Sequence, residues 1–179
     1  TISIAKPKTF QLKNGLTVMV VENNKLPRVN MSLSMDRPPY YEGDIAGVSE
    51  IMASQLDNGT TTLSKEQFNE KIDYLGARIN FSSGGASSNS LSKYFPEILA
   101  LMSDAITNPK FSAEEIETAK QRTIEGIKSE EKNASAIASR VSNALTYGKN
   151  TARGEFETVE SIKRITLADV ENVYKKHYA

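Results

Sequence analysis

The segment Gly47-Val-Ser-Glu-Ile-Met-Ala-Ser-Gln-Leu-Asp-Asn-Gly-Thr60 carries the strongest structural signal in this chain. Its apolar residues recur at helical spacing and form one stripe: Val48, Ile51, Met52 and Leu56. Such a stripe is typical of a helix with one buried face. The segment therefore predicts a helix over about residues 46–57, which ends at Asn58-Gly59.

Upstream of this helix, residues 10–35 alternate between apolar and polar side chains. Asn14-Gly15 and Pro27 separate three alternating runs at 10–12, 16–21 and 29–35. Asn-Gly favours a hairpin turn, and proline interrupts a strand. Because alternation with a period of two is typical of a half-buried strand, the three runs predict a sheet with one buried face.

Downstream, a capping box at Ser64 and Gln67 predicts a second helix, which ends at Gly76. Serine-rich segments at 78–83 and 86–94 predict a hairpin joined by Gly84-Gly85. A third helix is expected to end at Asn108-Pro109.

The last seventy residues are predicted to be helical. A second capping box, Ser112 to Glu115, begins a helix that runs to about residue 132. Further helices are expected at 134–147, 158–164 and 167–178, the last capped by Thr166. The order of elements predicts one α+β domain over residues 1–179, a mostly antiparallel sheet with helices on one face.

The composition excludes several classes of protein. With 22 basic and 22 acidic residues the chain has no net charge, so nucleic acid is not expected as a partner. No apolar run approaches the roughly 20 residues of a membrane span. There is no cysteine for a disulfide or a thiolate ligand, and a single histidine, His177, cannot build a histidine-rich zinc site.

The spacing of residues at turns, element ends and a few apolar positions, here called the punctuating residues, points to a family. They are Phe10, Leu12, Asn14-Gly15, Leu16, Val18, Pro27, Val29, Glu42, Gly47, Gly59-Thr60, Ile72, Leu75-Gly76-Ala77, Asn108-Pro109, Phe111, Gly154, Ile165-Thr166 and Tyr178. Together they resemble the amino-terminal domain of the M16 zinc metallopeptidases, which include pitrilysin, insulin-degrading enzymes and mitochondrial processing peptidases. The resemblance implies that fold. Because relatives continue into a further strand, it also implies an incomplete domain that could self-associate.

In that family the helix before the Gly-Thr pair carries the inverted zinc motif H-x-x-E-H. Its two histidines bind Zn²⁺, and its glutamate activates the bound water. An ungapped alignment from Gly47 to Gly59 puts Glu50 at the first histidine, Ala53 at the glutamate and Ser54 at the second histidine. Alignment on Ile127 puts Gly126, next to Glu125, at the position of the third ligand.

These residues cannot give zinc three protein ligands or supply a general base. The sequence therefore predicts no catalytic residue, no metal ligand and no cofactor in this chain, with zinc carried by a partner domain. Glu50 and Glu125 are either solvated or ion-paired helix carboxylates, or weak ligands of Mg²⁺ or Ca²⁺.

The resemblance also implies a substrate-binding strand at Ile79, Asn80, Phe81 and Ser82. In catalytic relatives the matching strand is a sheet edge beside the zinc, and peptides add to it as an extra strand. Such pairing needs only free backbone N–H and C=O groups, so it survives the loss of zinc. The alternative is a plain edge strand kept soluble by serine and asparagine.

The expected function is that of a non-catalytic M16-like domain. It would position peptide substrates and support a homologous zinc-bearing domain or subunit, in the same chain or in another. An active peptidase with different chemistry and a scaffold that binds no peptide remain as alternatives. The residues leave the cytoplasm and the periplasm open, and the resemblance favours the periplasm.

Overall fold

The computed structural model describes residues 6–23 and 25–178 of the chain. Within these ranges the strands are β1 Lys8–Gln11, β2 Thr17–Val20, β3 Arg28–Ser34, β4 Arg78–Ser82 and β5 Gly85–Leu91. The helices are α1 Val48–Ala53, α2 Lys65–Tyr74, α3 Phe95–Thr107, α4 Ala113–Glu130, α5 Ala134–Tyr147, α6 Val159–Arg164 and α7 Leu167–His177. The α+β class is confirmed.

The strands form two antiparallel sheets. β1 and β2 make a hairpin of their own, whereas the second sheet has the order β3-β5-β4. In the second sheet Met31 and Ile79 both lie opposite Ser88 of the central strand. The prediction that the first three strands share one sheet was wrong, because alternation identifies a strand but not its pairing partner.

The β1–β2 hairpin also lacks the buried face that its alternation predicted. Phe10 is 49% exposed and Met19 is 70% exposed. Along β3 and β4, by contrast, exposed side chains alternate with half-buried ones such as Val29 and Phe81. The half-buried face of this sheet lies toward the core helices, as predicted.

Two hydrophobic clusters make up the core. One joins α1, α4, α6 and α7 through buried side chains such as Met52 and Ile162. The other joins α2 and α3 through side chains such as Phe68 and Ile98. Phe81 of β4 packs against both clusters, so the sheet edge is fixed between α1 and α2.

The helix boundaries mostly follow local signals. The capping box of Ser64 and Gln67 is present, and Thr166 caps α7 as predicted. The capping box predicted at Ser112 was wrong: the Ser112 side chain makes no capping hydrogen bond. Glu115 instead lies 3.0 Å from the Lys65 ammonium of α2, so its carboxylate is used in an ion pair.

Two predicted boundaries shift. The helix expected over residues 46–57 is regular only over Val48–Ala53 and continues as turns. The predicted hairpin junction moves by one residue, because Gly85 is the first residue of β5 and lies opposite Ser34 and Ser82. No helix in the described ranges has the length and apolar character needed to cross a membrane.

Candidate functional site

Two carboxylates fix the start of α1, which carries the motif positions. The Glu42 carboxylate accepts hydrogen bonds from the backbone N–H groups of Gly47 and Ser49, at 2.7 and 3.1 Å. The Glu155 carboxylate in turn accepts from the backbone of Glu42 and Gly43. These bonds satisfy free N–H groups at the helix start and set the direction in which α1 presents its side chains.

The four motif positions do not share one environment. Glu50 and Ser54 are exposed, and their spacing of four residues places them on the same side of α1. Ala53 is 2% exposed and belongs to the core. On α4, Gly126 is exposed, and a Cβ atom built there would have no neighbour within 4 Å. Space for a ligand side chain exists at Gly126, but no donor atom occupies it.

A cleft of about 480 Å³ runs between α1 and α4. Glu50 and Ser54 line it from α1, and Arg122 and Thr123 line it from α4. Glu157, just before α6, lies at the same cleft. Sequence reasoning therefore found the α1 side of this cleft and missed Arg122, Thr123 and Glu157.

The residues at the motif positions do not fit zinc. The Ser54 hydroxyl donates to the Ile51 carbonyl at 2.7 Å and accepts from the Gln55 amide at 3.0 Å. The Glu50 carboxylate accepts from the Ser83 hydroxyl. One carboxylate and one neutral hydroxyl fall short of the three protein ligands of a catalytic zinc site. Within residues 6–23 and 25–178, no three His, Cys, Asp or Glu side chains are grouped to hold a metal ion.

Two carboxyl groups with raised pKa values give the cleft its electrostatic character. Burial raises the pKa of the Glu157 carboxyl above its ordinary value. The Arg140 guanidinium opposes this shift in pKa, whereas neighbouring carboxylates, including that of Glu50, add to it. Burial likewise raises the pKa of Asp57, although the Lys65 ammonium pulls it down. The cleft therefore favours the neutral, protonated form of these two carboxyl groups over the ionised form.

The Glu157→Gln variant is expected to be more stable than the parent at pH 7. A carboxyl whose pKa is raised by folding stabilises the fold only when it is protonated. That contribution is present below the unfolded-state pKa and is lost as the pH rises through the folded-state pKa. Removing the charge should add about 0.5 kcal/mol at pH 7, the scale of a partly exposed charge.

This gain should vanish below about pH 4, where the unfolded carboxyl is also protonated. Urea unfolding at both pH values measures the effect, and Glu70→Gln, an exposed carboxylate on α2, is the matched control. A Glu157→Gln variant that is less stable than the parent at pH 7 would contradict this electrostatic account.

The predicted binding strand lies beside the same site. β4 is an edge of the β3-β5-β4 sheet in the part of the chain that the structure describes. The Ser83 hydroxyl, directly after β4, donates to Glu50 and so ties the end of the edge strand to the first motif position. The Tyr178 hydroxyl, at the end of α7, donates to the Gly85 carbonyl at 2.9 Å and anchors the same turn. The structure thus places Ile79–Ser82 next to the α1 cleft.

The single histidine lies outside this cleft. The His177 ring stacks on Tyr40 with 3.8 Å between ring centroids. Burial lowers the pKa of His177, and the nearby Arg37 guanidinium lowers it further. The lowered pKa favours the neutral form of the ring, which is used in stacking on Tyr40.

A short helix that carries the positions aligned with an inverted zinc motif, a long facing helix and an adjacent edge strand are the arrangement expected of a metallopeptidase-like domain. The chain belongs to the insulinase family, peptidase family M16, whose sequence profile matches residues 18–158. This match confirms the resemblance drawn from the punctuating residues. A search of curated protein sequences finds no significant match.

Several solved structures share the fold. An M16 peptidase inactive domain from Pseudomonas fluorescens aligns with a TM-score of 0.86 at 23% identity, over 97% of this chain and 44% of that one. A protease from Helicobacter pylori aligns with a TM-score of 0.81 at 17% identity, over 98% and 44%. A conserved protein from Enterococcus faecalis V583 aligns with a TM-score of 0.78 at 16% identity, over 96% and 46%. The chain spans less than half the length of each.

Proposed function

We propose that this chain is a non-catalytic M16 domain that supports proteolysis by a homologous zinc-bearing domain or subunit. The observation that carries the proposal is the replacement of both histidines and the glutamate of the motif on a helix that keeps its place in the fold. Glu50, Ala53 and Ser54 occupy those positions, and Gly126 occupies that of the third ligand. The helix is retained, but the two imidazoles and the central carboxylate of the motif are absent.

Catalysis by this chain would lack its chemical parts. Zinc-dependent hydrolysis needs a bound metal that lowers the pKa of water and a base that takes its proton. Ala53 is buried and carries no acceptor atom. Ser54 is neutral and already hydrogen-bonded to the backbone of α1. We therefore assign the metal and the general base to the partner.

The partner is inferred to be a second M16 domain that holds the zinc. Support comes from the length comparison, because the structures that match are more than twice as long as the part this chain covers. Exposed apolar side chains on the β1–β2 hairpin, such as Phe10 and Met19, would suit contact with another protein surface, be it that domain or a second copy of this chain.

Peptide binding is assigned to the β4 edge, Ile79–Ser82. In the described residues β4 pairs with β5 along one side of its backbone and with no strand along the other. The strand ends beside Glu50 at the α1 cleft. An extended peptide can add to such an edge through main-chain hydrogen bonds. Binding should slow amide hydrogen exchange in β4, while the amides of β1 and β2 serve as the internal control. A scaffold that binds no peptide would leave all of these rates unchanged.

The decisive assay compares the chain alone with the chain plus a homologous subunit that carries an intact H-x-x-E-H motif. With added Zn²⁺, the chain alone is expected to cleave unfolded casein no faster than buffer does. Added to the zinc-bearing homologue, it is expected to lower the KM of that enzyme for peptides. Cleavage by this chain alone that a chelator abolishes would refute the proposal.

A further inference from the structure

The solvent face of the β3-β5-β4 sheet is polar and carries only positive charge. Side chains alternate along each strand, so this face holds Arg28 and Asn30 of β3, Arg78 and Asn80 of β4, and Asn89 of β5. The other positions on this face are serines, Gly85 and Leu91. Although the whole chain has 22 acidic residues, β3, β4 and β5 contain none.

The two arginines flank one central amide. Asn89 lies opposite Asn30 on one side and opposite Arg78 on the other. The Arg28 guanidinium donates to the Asn89 side-chain oxygen at 2.8 Å, which orients it across the sheet. Both arginines are exposed, and neither forms an ion pair with a carboxylate of the described residues. Two guanidinium groups are therefore available to a ligand.

We propose that this sheet face binds the carboxylates of an extended acidic peptide, so that the domain selects acidic polypeptides. The inference rests on the proposed substrate-binding role, because Arg78 and Asn80 belong to the same edge strand. A peptide paired with β4 presents every second side chain to this face. An arginine binds a carboxylate through two parallel hydrogen bonds, which gives both charge and geometric selectivity.

The two arginines lie at different distances from a peptide that pairs with β4. Arg28 and Arg78 are two strands apart, about 10 Å across the sheet, and one side-chain repeat apart along it. Because neighbouring strands lie about 5 Å apart, a peptide strand paired with β4 would run about 5 Å from the Arg78 strand and about 15 Å from the Arg28 strand. Arg78 can therefore bind a carboxylate of that peptide directly, while Arg28 adds positive charge to the same face and the asparagine and serine groups offer further donors and acceptors.

The chemistry of the face disfavours single-stranded nucleic acid as the ligand. Such binding combines many cationic contacts to phosphates with aromatic rings on which bases stack. Phe81, the aromatic residue of these strands, lies on the opposite, half-buried face. Because this face has two arginines and no aromatic ring, it is better suited to separate carboxylates than to a continuous phosphate backbone.

Fluorescence anisotropy with three labelled ten-residue peptides tests this inference on the chain alone. The peptides are identical except that alternate positions carry Glu, Gln or Lys. The Glu peptide is expected to bind about fivefold more tightly than the Gln peptide, with the Lys peptide weakest, since an exposed charge contact supported by a second positive charge is worth about that much. The preference should weaken as salt is added.

The Arg28→Gln, Arg78→Gln double variant is expected to lose the preference for Glu. The Arg153→Gln, Arg164→Gln variant removes the same net charge from exposed sites outside the sheet, and it should keep the preference. If the double variant fails to fold, the single Arg78→Gln variant replaces it, because Arg28 alone donates to Asn89.

Equal affinity for the Glu and Gln peptides would overturn the inference, as would an unchanged preference in the arginine variant. Tighter binding of a single-stranded oligonucleotide than of the Glu peptide would overturn it as well. These outcomes are separable from the proposed function. Loss of peptide selectivity leaves the support of a zinc-bearing partner intact, whereas proteolysis by the chain alone refutes the function and leaves this binding surface standing.

Discussion

Replacing Gly85 with alanine is expected to lower the free energy of unfolding by at least about 3 kcal/mol, at the upper end of single substitutions. Gly85 is the first residue of the central strand β5, opposite Ser34 and Ser82. A Cβ atom built there would lie 2.0 Å from the Leu33 carbonyl oxygen, which is a backbone atom of β3. Its φ of +151° is also unfavourable for a residue with a side chain.

Relief of this clash would require β3 to move away from β5. That movement would separate the sheet at the turn that Tyr178 anchors and that Ser83 joins to Glu50. The effect should therefore include disordering of the β4 edge as well as lower stability. Chemical denaturation measures the first, and amide exchange in β4 measures the second.

The matched control is Gly84→Ala, one residue earlier in the same turn. A Cβ atom at Gly84 would meet nothing within 4 Å, so this variant should stay within about 0.5 kcal/mol of the parent, as expected for an unobstructed surface site. Equal stability of the two variants would contradict the described contact between β3 and β5.

The second large effect is expected for Lys120→Met, at about 2 kcal/mol of lost stability, the scale of unsatisfied buried polar groups. Lys120 is 8% exposed, and its ammonium donates to the Ile165 and Lys163 carbonyls at 2.8 and 3.1 Å. These carbonyls lie at the end of α6, where backbone acceptors have no partner in the helix. The ammonium also lies 3.2 Å from the Glu117 carboxylate.

Methionine keeps most of the side-chain volume but offers no donor, so two carbonyls at the end of α6 would lose their bond. Lys128→Met, at an exposed position of the same helix, is the control and should change stability little. Because Lys120 joins α4 to the end of α6, hydrogen exchange should also rise there. Equal stability of Lys120→Met and Lys128→Met would show that the ammonium stabilises nothing.

The helices of this domain were largely predictable because their signals are local. The helix at 134–147 was predicted with the bounds found for α5, since Asn133 and Gly148 lie next to its ends. Ser112 misled the prediction because Glu115, the other half of its capping box, pairs with Lys65 from another helix. A tertiary ion pair of this kind leaves no trace in the four residues of the motif.

The sheet was less predictable because its pairing is long-range. Arg28 of β3 contacts Asn89 of β5, and nothing in the alternation of either segment selects the other. The exposed hairpin β1–β2 shows the same limit, since apolar alternation indicates a strand but not whether a core covers it.

The candidate site was half predictable. Glu50 and Ser54 were found through the frame of the zinc motif, and the structure places both at the α1 cleft. Arg122 and Glu157 come from distant segments with no motif of their own, so their position at the cleft required the fold. The absence of acidic residues from β3, β4 and β5 was visible in the sequence, but its meaning required the strand register.

Zinc content after equilibration with Zn²⁺ and gel filtration, measured by mass spectrometry, tests the central claim most directly. The control is a Glu50→His, Ser54→His, Gly126→Glu variant, which places three ligands at exposed positions and leaves buried Ala53 unchanged. The parent is expected to retain less than about 0.1 zinc per chain and the variant about one, since three protein ligands suffice for a catalytic-type site. A parent chain that retains one tightly held zinc ion at the α1 cleft would contradict the account.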